Sequence, residues 1–272
     1  MTSKDHPAGL KARLLAQERQ WGIFCCSYSL QIAEALRSSG FDFLIFDAEH
    51  APMSLPLLHA QLVALAGGRA EAIVRVAEIS LAGFKQYLDL SVAGLMIPNV
   101  ESAEQAATAV SYTRYPPEGR RGIGGSIRVT DYGRNPGCVH EARERVSVIV
   151  QVESRAGLHA IDAIAAVDGV DAVFIGPNDL AADLGHLGQP SHPDVARQVN
   201  EALGRIRRAG KAAGVLTNEA DSTAYLEAGA TLLALGSDLG LLVRAADALM
   251  ARRRTHLDAA PTPSTLLNAR QS

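Results

Sequence analysis

Short apolar runs recur along the chain, separated by longer mixed stretches. Trp21–Cys26, Phe43–Phe46, Ala72–Val76, Gly94–Ile97, Val146–Val152, Ala172–Ile175, Ala213–Leu216 and Leu232–Leu235 each have the length of a strand buried on both faces. The stretches between them predict helices over 30–39, 55–66, 81–90, 102–113, 180–184 and 193–208, and a last one follows at 239–253. Gly40 and Gly67-Gly68 stand where two of these helices should stop, and Ser102-Ala-Glu-Gln105 has the form of a capping box. An amphipathic segment over 8–19 predicts a helix that plugs the bottom of a barrel. Eight strands alternating with helices predict an α/β fold, a (β/α)8 TIM barrel occupying residues 1–272 as a single domain, with a loose tail after about 256. An open doubly wound sheet would want a glycine-rich turn after its first strand, and this one ends in Cys25-Cys-Ser27.

Residues 114–145 break the rhythm. Tyr115-Pro-Pro-Glu-Gly-Arg-Arg-Gly122, Arg128 and Arg134 fall in a connection long enough to suggest a functional loop, a lid or an anion contact.

The length, 272 residues, suits one such barrel. A net charge of −3 argues against a nucleic-acid partner, and no apolar run approaches a membrane span. The N-terminus lacks the apolar core of a signal peptide, so the expected location is the cytoplasm. Three cysteines without metal-type spacing, Cys25, Cys26 and Cys138, predict free thiols, the first two packed in the core.

The chemistry gathers at the predicted C-terminal ends of the strands, the end where barrels of this kind build active sites. Asp47, Glu49, His50, Arg75, Asn99, Glu153, Asp179, Asn218 and Asp238 all fall there. Glu153 and Asp179 follow consecutive strands, and two carboxylates with no nearby cysteine suit a hard divalent cation. Asp179 would also serve as an ordinary helix cap. His50 is a candidate proton carrier, with Asp47 three residues back placed to orient its ring. Arg75 supplies a fixed positive charge for a carboxylate or an enolate oxygen, or an ion pair to Asp47 or Glu49. Only four residues are lysines, Lys4, Lys11, Lys85 and Lys211, and none falls at the top of a strand. A Schiff-base mechanism therefore has no nucleophile, and carbonyl activation falls to a metal. No nucleophile elbow or phosphate loop is present.

At these residues the chain resembles the HpcH/HpaI family of class II, metal-dependent pyruvate aldolases. The resemblance covers roughly residues 10–250. It rests on Asp47-Ala-Glu-His-Ala-Pro52, the Tyr115–Gly122 segment, Val150-Gln-Val-Glu153, Ile175-Gly-Pro-Asn-Asp-Leu180 and Leu235-Gly-Ser-Asp238. It implies a barrel of the phosphoenolpyruvate/pyruvate-domain type, assembled as a homohexamer, a trimer of dimers. It implies a metal, Mg²⁺ or else Mn²⁺ or Co²⁺, on Glu153 and Asp179. It implies substrate contacts from Gln151, Gly176, Pro177, Asn178 and Arg75, with the substrate carboxylate on backbone N–H groups around Gly176 and Pro177, and proton transfer by His50 paired with Asp47. The expected reaction is reversible cleavage of a 4-hydroxy-2-oxo acid to pyruvate, or hydroxypyruvate, and an aldehyde through a metal-stabilised enolate. Decarboxylation of oxaloacetate or citrate-lyase-like cleavage of an acyl-CoA would use the same site. The chain departs from the family where Phe24 replaces a frequent tryptophan, where Val76-Ala-Glu78 follows Arg75, and within Ser126–Arg134, positions expected to sense the aldehyde.

Overall fold

The computed structural model describes residues 9–258, with side chains through residue 254. Lys4 and most of the expected C-terminal tail lie outside the described residues. Eight strands, β1 (Gln20–Cys25), β2 (Phe43–Asp47), β3 (Glu71–Arg75), β4 (Gly94–Ile97), β5 (Ser147–Val152), β6 (Ala172–Ile175), β7 (Ala212–Leu216) and β8 (Leu232–Ser237), pair in sequence order. Every neighbouring pair is parallel, and β1 closes on β8, so the barrel has no edge.

Helix α1 (Leu10–Leu15) precedes the barrel, and the outer layer begins with α2 (Leu30–Leu36), α3 (Leu55–Leu65), α4 (Leu81–Asp89) and α5 (Ala103–Thr113). It continues with α6 (Ala142–Arg145), α7 (Arg155–Ala165), α8 (Pro177–Asp183), α9 (Pro193–Arg208), α10 (Ser222–Glu227) and α11 (Asp238–Asp258). Helices α7 and α10 fill gaps for which the apolar pattern specified no bounds. The capping box at Ser102 forms in part. Ser102 Oγ accepts from the Gln105 N–H, while the Gln105 amide oxygen reaches back to the Glu101 N–H.

Strand residues two apart face the same way, and this alternation divides the core in two. Phe24, Phe43, Ile45, Ile73, Met96, Ile149 and Phe174 fill the barrel interior. Leu10 and Leu14 of α1 join that inner cluster from below, so the helix is the expected plug, although shorter than 8–19. Leu44, Phe46, Val74, Val150, Val173 and Val215 face outward against the helices. Burial of both faces is why these strands read as unbroken apolar runs.

One expectation needs correction here. Residues 114–145 join α5 to β5, and an α-to-β connection lies at the bottom of a barrel. Val129 and Arg121 line a cavity of about 450 Å³ there, with Glu71, Ala93 and Val146 from the starts of strands. Arg128 donates to the Leu62 carbonyl and Arg121 is buried against Asp89. This segment therefore neither covers its own chain's mouth nor senses an aldehyde in it. Helix α11 keeps Leu241, Leu242, Val243, Leu249 and Met250 exposed, an apolar surface that the barrel itself does not cover. No helix among the described residues is long and apolar enough to cross a membrane.

Candidate active site

The inward alternation ends in polar groups at the top of the barrel. Counting by twos from the inner core residues leads from Ile45 to Asp47, from Ile73 to Arg75, from Ile149 to Gln151 and Glu153, and from Phe174 to Gly176. The same count leads from Phe24 to Cys26. Cys26 therefore lines the mouth, while Cys25 packs outward in the core as expected. Burial, then the nearby Asp47 and Asp238, push the Cys26 thiol up to about 11. All three cysteines are free thiols.

Asp47 and Arg75 are register partners at the tops of β2 and β3. Arg75 grips Asp47 with two parallel bonds, Nε to Oδ1 at 2.9 Å and Nη2 to Oδ2 at 2.8 Å. Arg75 Nε also lies 3.2 Å from Glu49 Oε2, and its guanidinium stacks 4.8 Å from the centre of the Phe24 ring. Burial works to raise the Asp47 pKa, but the bonds and charge of Arg75 outweigh it and hold this carboxyl below its usual range. Asp47 Oδ1 further accepts the N–H groups of Glu49 and His50.

The expected Asp47–His50 dyad is not formed. Asp47 orients the backbone of His50, and its oxygens are taken by Arg75 and the loop. The His50 ring is 64% exposed at the mouth, and its carboxylate neighbour is Glu49, with Nε2 3.7 Å from Oε2. Glu49 is thus the residue underweighted by reading the chain alone. Its contacts with Arg75 and with the Asn99 amide come from the tops of β3 and β4 and so depend on the register between strands.

Glu153 stands just beyond β5 and is buried. Its Oε1 accepts the N–H of Asn99, a residue held at φ 55°, and its Oε2 accepts from Gln151 Nε2. Burial first, then the charges of Asp179 and Glu49, push its pKa up to about 6. Asp179 lies in the first turn of α8 on the adjacent β6, exposed beside Asn178 on the cavity wall. A Cβ on Gly176 would collide with Glu153 Oε2 and stand 2.7 Å from Gln151 Nε2, so only glycine admits the backbone this close.

The expected carboxylate cradle around Gly176 and Pro177 narrows to its neighbours. The Gly176 N–H is already bonded to the Val152 carbonyl, and Pro177 has none. The donors left in that turn are the N–H groups of Asn178 and Asp179. Asn218 and Asp238 serve structure. The Asn218 amide bonds Asp221. Asp238 accepts from the Cys26 and Ser27 N–H groups and from Ser27 Oγ, tying the top of β1 to the end of β8.

Above these groups lies a cavity of about 320 Å³, walled by His50, Arg75, Gln151, Gly176, Asn178 and Asp179, and along β7, β8 and α11 by Leu216, Gly236, Ser237 and Arg244. No described lysine reaches it. Lys11 and Lys211 bond Asp171 and the Val170 carbonyl at the bottom, and Lys85 lies on α4.

The oxygen donors fit a divalent cation. Glu49, Glu153 and Asp179 repel one another, and Arg75 is the cation committed among them. Gln151 Oε1 and Glu49 Oε2 are buried without hydrogen-bond donors. Carboxylate and amide oxygens are the set a hard ion takes, and the Cys26 thiol on the same mouth, pushed up to about 11 by burial, then Asp47 and Asp238, stays protonated.

Comparison with known proteins agrees with this geometry. The profile of the HpcH/HpaI aldolase/citrate lyase family matches residues 20–245. The chain is 44% identical over 242 residues, 89% of its length and 94% of the relative's, to a 5-keto-4-deoxy-D-glucarate aldolase of Klebsiella pneumoniae. Among solved structures it is similar to an HpcH/HpaI aldolase/citrate lyase family protein of Burkholderia cenocepacia, with TM-score 0.87, 38% identity and coverage of 90% of this chain and 98% of that one. An HpcH/HpaI aldolase of Desulfitobacterium hafniense gives TM-score 0.83 at 30% identity, over 94% and 98% of the two chains. On the barrel, the mouth and these matches together, the chain belongs to the HpcH/HpaI aldolase/citrate lyase family.

Proposed function

We propose that this chain is a metal-dependent aldolase that cleaves a 4-hydroxy-2-oxo acid to pyruvate and an aldehyde. The observation that carries the reading is the pair Glu153 and Asp179 at adjacent strand tops, facing a cavity that no described lysine enters. The relatives named for 5-keto-4-deoxy-D-glucarate support a six-carbon diacid as substrate. Breaking the bond between its deoxy carbon and the adjacent hydroxyl-bearing carbon yields pyruvate and a three-carbon aldehyde acid, 2-hydroxy-3-oxopropanoate.

Glu153 and Asp179 would hold the cation, Mg²⁺ first and Mn²⁺ or Co²⁺ as substitutes. Once bound, a divalent ion polarises the keto oxygen of the 2-oxo acid. The chain's own groups do the rest. The N–H groups of Asn178 and Asp179 receive the pyruvate carboxylate. Arg75 holds the Asp47 carboxyl below its usual range and keeps Glu49 in place, and no described residue bonds its Nη1, which is left for substrate oxygen. His50, its ring open to the cavity, takes the proton of the hydroxyl whose carbon becomes the aldehyde.

The test is pyruvate incubated in D₂O with and without Mg²⁺ or Mn²⁺, followed by loss of the methyl proton signal. Metal-dependent exchange that Glu153→Ala lacks is the expected result. Exchange that persists in chelator, or no exchange together with no pyruvate release from the diacid, overturns the reading. The exposed apolar side of α11 supports self-association, with the hexamer as the expected state, measured by light scattering on the purified protein. The free thiols support a reducing, cytoplasmic setting.

A further inference from the structure

The cations at the mouth divide into one that is committed and one that is not. Arg75 is buried, holds Asp47 with two bonds and contacts Glu49. Arg244, in the second turn of α11, makes no ion pair or hydrogen bond among the described residues, and its side chain lines the mouth cavity. Its position is set by two glycines. The guanidinium lies over Gly236 and Gly240, where a Cβ at Gly240 would stand 3.2 Å from Nη1 and one at Gly236 would stand 3.7 Å from Nη2. Arg244 is exposed, yet its guanidinium lies back over the strand end.

The rest of the cavity wall explains what such a group is for. One side carries Asp179, Asn178, Gln151 and Gly176, the groups that fit a metal and a 2-oxo acid. From there the wall continues onto β7 and β8 through Leu216, Gly236 and Ser237, a second side with Arg244 as its charged member. A substrate anchored at the first side by its keto acid end extends its other end toward the second. A planar guanidinium with free N–H groups recognises a carboxylate by two parallel bonds.

We propose that Arg244 binds the carboxylate of the aldehyde half, so that the enzyme selects aldehydes bearing an acid group. This rests on the aldolase reading above and adds to it the residue that reads the acid end of the acceptor.

The test compares two three-carbon aldehydes that differ at one end. One is 2-hydroxy-3-oxopropanoate, and the other is glyceraldehyde, with a hydroxymethyl group in place of the carboxylate. Each is condensed with pyruvate by the full-length protein, by Arg244→Ala and by Arg244→Lys, in Mg²⁺. Loss of a charge-assisted bond pair predicts that Arg244→Ala lowers the acid-to-neutral ratio of kcat/KM roughly 10- to 100-fold. Arg244→Lys should recover part of that ratio. Pyruvate exchange in D₂O is measured in parallel, because it needs no aldehyde. Exchange retained with an unchanged ratio in Arg244→Ala overturns the assignment of Arg244 alone. No exchange and no condensation in the parent protein overturns the aldolase reading and this assignment with it.

Discussion

Substituting Gly176 by alanine isolates the site from the fold. Its backbone, at φ −96° and ψ 94°, is open to any L-residue, so alanine there carries no conformational penalty. The added methyl would instead meet Glu153 Oε2 in collision, Gln151 Nε2 at 2.7 Å and Glu153 Cβ at 3.1 Å. Ordinary contact needs about 3.5 Å or more, so the Glu153 carboxylate must retreat by about 1 Å. Overpacking of this kind costs about 1–3 kcal/mol of stability, which leaves a domain of this size folded. Displacing a reacting group by the same distance costs roughly 100-fold in rate. Gly185 supplies the control, since it sits at φ 89° and a methyl added there would meet nothing within 4 Å. Alanine there strains the backbone by about 1 kcal/mol and touches no site residue. Urea unfolding and metal-dependent pyruvate exchange, measured on both variants, should separate them. Gly176→Ala should lose exchange while folded, and Gly185→Ala should keep it. Exchange within threefold of the parent in Gly176→Ala would refute the close approach of Gly176 to Glu153 as the reason for glycine.

Arg75→Met leaves the buried Asp47 unpaired and should destabilise the protein by about 3–5 kcal/mol in urea; the double variant Arg75→Met/Asp47→Leu should regain much of that, and an equally unstable double would show the pair is not the cause. In chelator, Glu153 binds its proton more tightly folded, at about 6, than unfolded, near the usual 4.5, so its contribution is full below 4.5 and is lost as pH rises through 6, by about 2 kcal/mol. With the cation the sign reverses, because binding needs the ionised carboxylate: Mg²⁺ affinity, followed by calorimetry, should weaken as pH falls below 6, and the same pH dependence in Glu153→Gln would count against this residue as a ligand. Cys26, with its thiol at about 11 against an ordinary 9.0, should react with iodoacetamide about 100-fold more slowly at pH 8 than a free cysteine, and prompt labelling at Cys26 by peptide mass spectrometry would contradict the contacts described for it.

The barrel was legible because each strand is short, apolar and buried on both faces. The tops of β2, β3, β5 and β6 were legible because ionisable groups interrupt those runs abruptly. What stayed hidden depends on neighbours in space. The sequence left Arg75 between an ion pair and a substrate contact; the two-bond grip on Asp47 requires the β2–β3 register, and proximity along the chain paired Asp47 with His50 instead. Cys26 reads as core until the alternation is counted from Phe24. The 114–145 segment drew attention through its arginines, although its place between a helix and a strand already put it at the far end of the barrel. Arg244 was invisible because it reaches the mouth from a helix, with no strand period to mark it.

The Asp238 carboxylate joins the first strand to the last one made. During synthesis, β1 waits for its second neighbour until residues 232–237 have left the ribosome, and the Cys26 and Ser27 amides wait for Asp238. Closure of the ring therefore cannot precede synthesis of residues 232–238. A chain stopped before that point would hold seven strands and most of its acidic groups without the shape that makes them a site. The nascent protein gains its core piece by piece but gains its mouth only once, when the two ends of the sheet meet.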